Sequence, residues 1–308
     1  MTDFYPEGQI INTQENINIL SSMSSLMEAY KTRKIIESIA KICDAEHNLI
    51  VNLGEIKGVI PREEGALGIK EGTVRDIAII SKVNHPVCFI IKEITKDDNG
   101  NDIAVLSRRA AQEVCFREYV SKLRPGDVIK ARITHMESFG VFADIGCGIT
   151  SFLPIDTISV SRISHPGDRF KNGMNIYAVI KSVEDGRINL THKELLGTWE
   201  ENAKLISIGE TVAGTIRSLE EYGVFVELTP NLAGLAELKE GISEGQQASV
   251  YIKNILPEKM KVKLVIIDAF DSKRTIEKPK YFFSGNHMDE FIYSPAGCSR
   301  IIATKFTT

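Results

Sequence analysis

An internal repeat constrains this fold more than any other feature of the sequence. Residues 126–153 align without a gap with residues 209–236, at a constant offset of 83. The second halves of the two copies, 173–183 and 245–255, align at an offset of 72, so the later copy has a connecting loop 11 residues shorter. Self-similarity at a fixed period indicates that each copy folds as one small structural unit.

A weaker third copy lies upstream of these two. Residues 49–61 resemble residues 141–154, and residues 89–94 and 103–109 take the places of the last two strands. In every copy, short β-branched runs alternate with Gly, Asn, Asp and Pro, which predicts five short strands. The sequence therefore predicts an all-β fold of three tandem five-stranded OB-fold barrels, because closing a small sheet removes its exposed edges.

Short helices are expected outside and between the barrels. Residues 14–30 carry apolar side chains at helical spacing, with Thr13 as the N-cap, whereas residues 1–13 lack any such pattern and are expected to be disordered. The predicted organisation is an acidic N-terminal segment with a short helix at 1–30, a degenerate first barrel at 31–109, a basic helical linker at 110–125, a second barrel at 126–193, a helical linker at 194–208, a third barrel at 209–267 and a C-terminal tail at 268–308.

Charge is unevenly distributed along the 308 residues. The net charge is −4, yet residues 1–30 hold four acidic and no basic side chains, so the rest of the chain is neutral. The second repeat has 8 basic residues against 7 acidic ones, and the third has 6 against 8. Any nucleic acid should therefore be bound more by stacking than by phosphate neutralisation, with a shallow salt dependence, and the second repeat should contribute most.

The sequence contains no recognisable catalytic or metal-binding pattern. Five widely spaced cysteines form no C-x-x-C pair, six histidines form no H-E-x-x-H, and no G-x-x-x-x-G-K-[ST] is present. The N-terminus lacks the apolar core of a secretory signal, and no apolar run reaches the length of a membrane span. These patterns predict a non-catalytic cytoplasmic protein with no cofactor, no metal, no membrane contact and no small-molecule substrate.

The aromatic-Gly-Val-Phe motif at 139–142 and 222–225, with the late strand D-G-R-I-N-L-T at 185–191, resembles the S-one (S1) RNA-binding domain. This domain is the repeat of the bacterial 30S ribosomal protein S-one family, and the resemblance covers about residues 31–267. It implies an RNA-binding protein that holds single-stranded RNA or mRNA on OB-fold faces and acts in or near translation. The 30S ribosomal subunit is a further candidate partner.

The resemblance also implies which residues contact RNA. Strand alternation alone would separate positions i and i+3, but Gly140 permits a bulge that returns both rings to one face. From the pattern alone the rings fit either the core or the surface, and the resemblance favours the surface. The candidate RNA-binding residues are Phe139, Phe142, Arg187 and Lys193 in the second repeat, Tyr222, Phe225, Lys261 and Lys263 in the third, and Arg162, Arg169 and Lys171 as accessory residues on the long loop 155–172.

The first repeat departs from this pattern. It has residues 47–50 (HNLI) in place of the aromatic motif and Ile103 in place of the late basic residue, so protein docking is its expected use. None of the three copies keeps the exposed histidine common in the family; Pro61, Pro154 and Glu237 stand there instead. The alternative function is therefore a protein-docking adaptor on the ribosome or an RNA-processing complex, with incidental RNA contact.

Overall fold

The computed structural model describes residues 4–184, 186–272 and 276–306. Residues 1–3, 185, 273–275 and 307–308, which belong to the predicted N-terminal segment, second barrel and tail, lie outside the described residues. The chain forms two compact units. Residues 1–123 and 144–150 make up the first unit, and residues 124–143 and 151–308 make up the second.

Three closed five-stranded barrels dominate the described part of the chain, which confirms the predicted all-β fold. The first contains β1 (Ile36–Cys43), β2 (Leu49–Asn52), β3 (Lys57–Ile60), β4 (Pro86–Lys96) and β5 (Asp102–Ser107). The second contains β6 (Val128–Glu137), β7 (Gly140–Asp144), β8 (Thr150–Pro154), β9 (Asn175–Glu184) and β10 (Arg187–Thr191). The third contains β11 (Thr211–Glu220), β12 (Gly223–Thr229), β13 (Leu232–Ala236), β14 (Gln247–Leu256) and β15 (Lys261–Phe270).

The barrel cores follow from strict strand alternation. Along β15, Val262, Leu264 and Ile266 are buried, whereas Lys261 before them and Lys263 between them are exposed. Successive side chains of a strand point to opposite faces, so one face fills the barrel and the other meets solvent. Each barrel closes by pairing its third strand in parallel with its fifth. This closure brings the outer face of the last strand beside that of the third.

Five α-helices in the described residues connect or precede the barrels. They are α1 (Gln14–Leu20), α2 (Met23–Thr32), α3 (Ile77–Ile80), α4 (Arg108–Glu118) and α5 (Trp199–Ala203). Thr13 caps α1 as predicted, but the predicted single helix is split after Leu20, and the Ser22 hydroxyl caps α2. In α5, Thr198 and Glu201 form a reciprocal capping box, and Trp199 is buried in the core of the third barrel. Short 3-10 helices lie at Arg62–Glu64, Val120–Lys122, Ile155–Thr157, Pro166–Asp168, Lys193–Leu196 and Pro257–Lys259.

The N-terminal segment is packed within the first unit, so the expected disorder of residues 1–13 is wrong for its described part, residues 4–13. The Glu7 carboxylate is buried and accepts hydrogen bonds from Arg108 Nε at 2.6 Å and Lys82 Nζ at 2.8 Å. Its backbone N–H donates to Asp144 Oδ2 at 2.7 Å. Burial raises the pKa of Glu7, but Arg108 and Lys82 outweigh burial and hold the pKa at about 2. Hydrogen-bond partners this distant in sequence leave no local periodicity, which explains why the sequence led to an expectation of disorder.

The C-terminal segment packs inside the second unit. Its strands β16 (Glu290–Ile292) and β17 (Ala303–Lys305) form an antiparallel pair. The Tyr293 hydroxyl donates a hydrogen bond to the Asn231 carbonyl at 2.6 Å, and Met288 and Phe306 cluster with buried side chains of the second barrel region. The aromatic residues of this segment therefore serve packing.

Candidate nucleic-acid interface

The first ring of each aromatic motif lies in a turn, not in a strand. Phe139 is in the two-residue turn between β6 and β7, and Tyr222 is in the equivalent turn between β11 and β12. Their side chains are 56% and 69% exposed. The turn frees these rings from strand alternation, so the expected bulge at the motif glycine is not needed. In the third barrel the register irregularity of the β11–β12 pair lies in β11, between Ile216 and Ser218.

The second barrel carries a cluster of three phenyl rings on its outer face. Phe152 on β8 lies 5.7 Å from the Phe139 ring and 5.3 Å from the Phe142 ring, between centroids. His135 on β6 stacks on Phe142 at 6.4 Å and bonds Glu137 Oε1 through Nε2 at 2.7 Å. Sequence reasoning missed both Phe152 and His135. The signal was available, since alternation along β8 puts Leu153 inside and Phe152 outside.

The motif glycine permits a close backbone approach beneath the rings. A Cβ atom added at Gly140 would lie 2.5 Å from the Leu153 carbonyl oxygen and 2.8 Å from the Phe152 ring. At Gly223 the equivalent atom would lie 2.5 Å from the Ala236 oxygen. Both glycines have positive φ angles, 158° and 150°. Glycine is therefore required because β7 and β12 each lie tightly against the next strand.

The third barrel presents a smaller aromatic surface. Tyr222 and Phe225 meet edge-on, with centroids 6.2 Å apart and planes at 90°. At the offset of 83, Leu235 replaces Phe152 and Ser218 replaces His135. The third barrel therefore offers two rings for stacking, where the second offers three phenyl rings and an imidazole.

Basic side chains lie on the last strand of both barrels. Arg187 is exposed and pairs across the β9–β10 hairpin with Glu184. Lys261 and Lys263 are exposed on β15, and Lys263 pairs with Leu235 on the outer face. Lys193 lies beyond the end of β10, half-buried, and its Nζ donates to the Asp156 carbonyl at 3.4 Å. Cations therefore flank the aromatic face on one side in each barrel.

The long loop of the second repeat packs on the third barrel. Ser161 N–H donates to the Pro230 carbonyl, and Val160 N–H donates to Asn231 Oδ1, both at 3.0 Å. Arg162 and Lys171 are exposed, but Arg169 is only 8% exposed and its Nη2 donates to Glu227 Oε2 at 2.6 Å. Arg169 therefore leaves the set of accessory RNA-binding candidates, because its guanidinium is committed to a buried carboxylate.

The first barrel has an aliphatic outer face. The strand register places Ile42 opposite Ile50, Ile50 opposite Val59, and Val59 beside Val105. Ile42 is 58% exposed, and Ile50, Val59 and Val105 are half-buried. We name these four residues the aliphatic stripe. It offers contact area but no ring on which a base would stack.

Comparisons with known proteins agree with this geometry. Residues 122–193 match the family described as "S1 RNA binding domain". The chain is 28% identical over 244 residues to "Small ribosomal subunit protein bS1" of Leuconostoc lactis, covering 73% of this chain and 54% of that protein. It is 25% identical over 277 residues to "Small ribosomal subunit protein bS1 homolog" of Bacillus subtilis (strain 168), covering 88% and 69%.

The chain is therefore similar to the S1 RNA-binding domain over residues 122–193 and to bacterial bS1 proteins over most of its length, which confirms the predicted resemblance. It spans about half of the length of the Leuconostoc lactis protein. Among solved structures, a multidomain protein with nucleic acid binding domains from Streptococcus pneumoniae aligns with 76% of this chain and 73% of its own. That alignment has a TM-score of 0.26 and 14% identity and carries no functional argument.

Two further properties concern the part of the chain that the structure describes. No helix there is long and apolar enough to cross a membrane. No group of three or more His, Cys, Asp or Glu side chains is arranged there to hold a metal ion.

Proposed function

We propose that this protein binds single-stranded RNA, including mRNA, on the outer faces of its second and third barrels, and that it acts in or near translation without catalysing a reaction. The outer-face aromatic cluster formed by the exposed Phe139 and the half-buried Phe142 and Phe152 carries this proposal. Each base that stacks on such a ring contributes about 1–3 kcal/mol of binding free energy. The cations on the last strand lie where they accompany the phosphate backbone.

The relatives support the setting of this activity. They are named as proteins of the small ribosomal subunit. We therefore include the 30S ribosomal subunit among the partners and the bacterial cytoplasm as the compartment. The residues proposed to contact RNA are Phe139, Phe142, Phe152, Arg187 and Lys193 in the second barrel, Tyr222, Phe225, Lys261 and Lys263 in the third, and the exposed loop residues Arg162 and Lys171.

Fluorescence anisotropy with a short unstructured RNA tests the proposal. The double variant Phe139→Ala/Phe142→Ala should bind at least about 30-fold more weakly, since two rings contribute about 2 kcal/mol or more. Phe116→Ala removes a 43% exposed phenyl ring from α4 and is the matched control. Equal affinity of the double variant and the wild type would refute the assignment of the second-barrel face.

The aliphatic stripe of the first barrel favours a second function. We propose that this face docks on a protein of the ribosome or of an RNA-processing complex. Placing a charge there, with Ile42→Lys, should abolish ribosome co-sedimentation after nuclease treatment and leave RNA affinity unchanged. Co-sedimentation that persists in this variant would exclude the stripe as the docking surface.

A further inference from the structure

A groove of about 880 Å³ lies beside the aromatic pair of the third barrel. One wall is the loop segment 160–164, which belongs to the second repeat, and the other includes Tyr222, Phe225 and Ala233 of the third. Both walls belong to the second compact unit. The loop of the second repeat therefore encloses one side of the aromatic pair of the third barrel.

Buried ion pairs hold the loop wall in place. Glu227 Oε2 accepts hydrogen bonds from Arg169 Nη2 at 2.6 Å and from Arg217 Nε at 2.7 Å, and Asp168 Oδ2 accepts one from Arg217 Nη1 at 2.7 Å. Two guanidiniums and two carboxylates balance one another in this cluster. Burial raises the pKa of Glu227, but the Arg169 and Arg217 charges outweigh burial and keep the pKa below its ordinary value. The groove is thus a fixed feature whose wall stays ordered without a ligand.

A hydrogen-bond donor on β11, in the third-barrel wall, lacks an acceptor. Arg217 lines the groove, its side chain is only 10% exposed, and its Nη2 has no hydrogen-bond partner within the described ranges. Buried polar groups of folded proteins are normally paired, so this orphaned donor of a groove-lining residue would gain a partner if a small movement of its side chain brought it to an acceptor in the groove. An anionic oxygen is the strongest acceptor for a guanidinium.

The charges around the groove are unequal. Arg162 is exposed and contributes an uncommitted cation from the loop. The third barrel itself contributes Glu220 and Glu244, which are exposed and also line the groove. A phosphate beside Tyr222 would therefore be repelled by the third barrel alone. Asp168 of the loop and Arg217 of the third barrel also line the groove but are paired with each other, so Arg162 supplies the positive charge for a phosphate.

We propose that the two walls form one composite site for a single nucleotide of RNA. Its base stacks on the exposed Tyr222 ring and meets the edge of Phe225, and its phosphate is bound by Arg162 and by Nη2 of Arg217. This proposal rests on the proposed RNA-binding function and assigns to Arg162 a role at the third barrel, although it belongs to the second repeat. Glu220 and Glu244 oppose a second phosphate, which limits the site to one nucleotide.

The test compares two exposed cations of the second repeat in the full-length protein. Arg162 lines the groove, whereas Lys181 on β9 does not, and Lys181 is not among the residues proposed to contact RNA. Anisotropy with a short unstructured RNA over a range of salt concentrations should show about 5- to 10-fold weaker binding for Arg162→Ala. It should also show a salt slope shallower by about 0.7, the value for one phosphate contact on a single strand. Lys181→Ala should retain both the affinity and the slope. Equal losses in the two variants would overturn the composite site.

A double variant separates this proposal from the proposed function. If one nucleotide bridges both walls, Arg162→Ala/Tyr222→Ala should bind better than the product of the two single losses predicts, because each single change already disrupts the same nucleotide. If the loss of RNA affinity in the double variant equals the product of the two single losses, the composite site is refuted. The Phe139→Ala/Phe142→Ala variant reports on RNA binding at the second barrel alone, so failure of that experiment is distinguishable from failure of this one.

Discussion

Glu227→Gln should strongly destabilise the third barrel and its contact with the preceding loop. The substitution keeps the size of the side chain but removes the charge that accepts hydrogen bonds from Arg169 at 2.6 Å and Arg217 at 2.7 Å. Glu227 is only 4% exposed, so solvent cannot replace that charge. Leaving a buried cation without its partner costs about 3–5 kcal/mol, and we expect the free energy of unfolding to fall by that amount.

Urea denaturation followed by tryptophan fluorescence measures this change. Trp199 is the only tryptophan, and it is buried in the core of the third barrel, so its emission reports on this region. Glu221→Gln changes an exposed carboxylate of the same barrel and should alter stability by less than about 0.5 kcal/mol. Arg169→Met/Glu227→Gln restores charge balance, because Arg217 keeps Asp168 as its partner. The double variant should be more stable than additivity predicts by about 1–3 kcal/mol. Additive losses, or a loss below about 1 kcal/mol for Glu227→Gln alone, would refute the buried-charge argument.

Three further predictions concern stability and the aromatic face. Burial, the largest influence, raises the pKa of Glu37 from 4.5 to about 7. Between these values the folded protein keeps a proton that the unfolded chain has lost, so the free energy of unfolding should fall by about 3 kcal/mol as pH rises through this window. Glu37→Gln should remove that contribution to the slope in urea denaturation followed by circular dichroism, and an unchanged slope would contradict the assignment. Glu7→Gln leaves Arg108 without its charged partner. In the same assay it should lower the free energy of unfolding of the first unit by about 3–5 kcal/mol. Wild-type stability of this variant would show that the ion pair does not hold the N-terminal segment. Gly140→Ala places a Cβ 2.5 Å from the Leu153 oxygen and should cost about 1–3 kcal/mol while weakening RNA binding, whereas wild-type affinity would show that the turn tolerates displacement.

The repeat made most of the fold predictable from the sequence. Alternation of period two and turn residues are local signals, and three copies of the same signal reinforce one another. The N-terminal segment was not predictable in this way. The hydrogen bond between Glu7 and Arg108 joins residues 101 positions apart, and no local pattern in the sequence signals such a pair.

The candidate site was predictable only in part. The motif at 139–142 marked two rings, but Phe152 enters the cluster from another strand, and strand alternation marks it as outward-facing without showing that it lies beside those rings. The loop cations show the opposite case, since Arg162 and Arg169 look equivalent in sequence. Arg162 is exposed and Arg169 is paired with Glu227, because the loop packs on the third barrel and not on the barrel of its own repeat.

The acids Asp144 and Glu227 occupy the same position in their repeats, two residues after the second ring of the motif. Asp144 accepts backbone N–H groups from Glu7, Gly146 and Gly148, whereas Glu227 accepts the guanidiniums of Arg169 and Arg217. The second and third repeats are therefore not structurally interchangeable. A chain in which they changed places would present the shorter acid to two guanidiniums and the longer acid to a tight backbone turn. The hydrogen bonds of one carboxylate in each copy therefore depend on the order of the repeats. A chain with the repeats in another order would lose these hydrogen bonds.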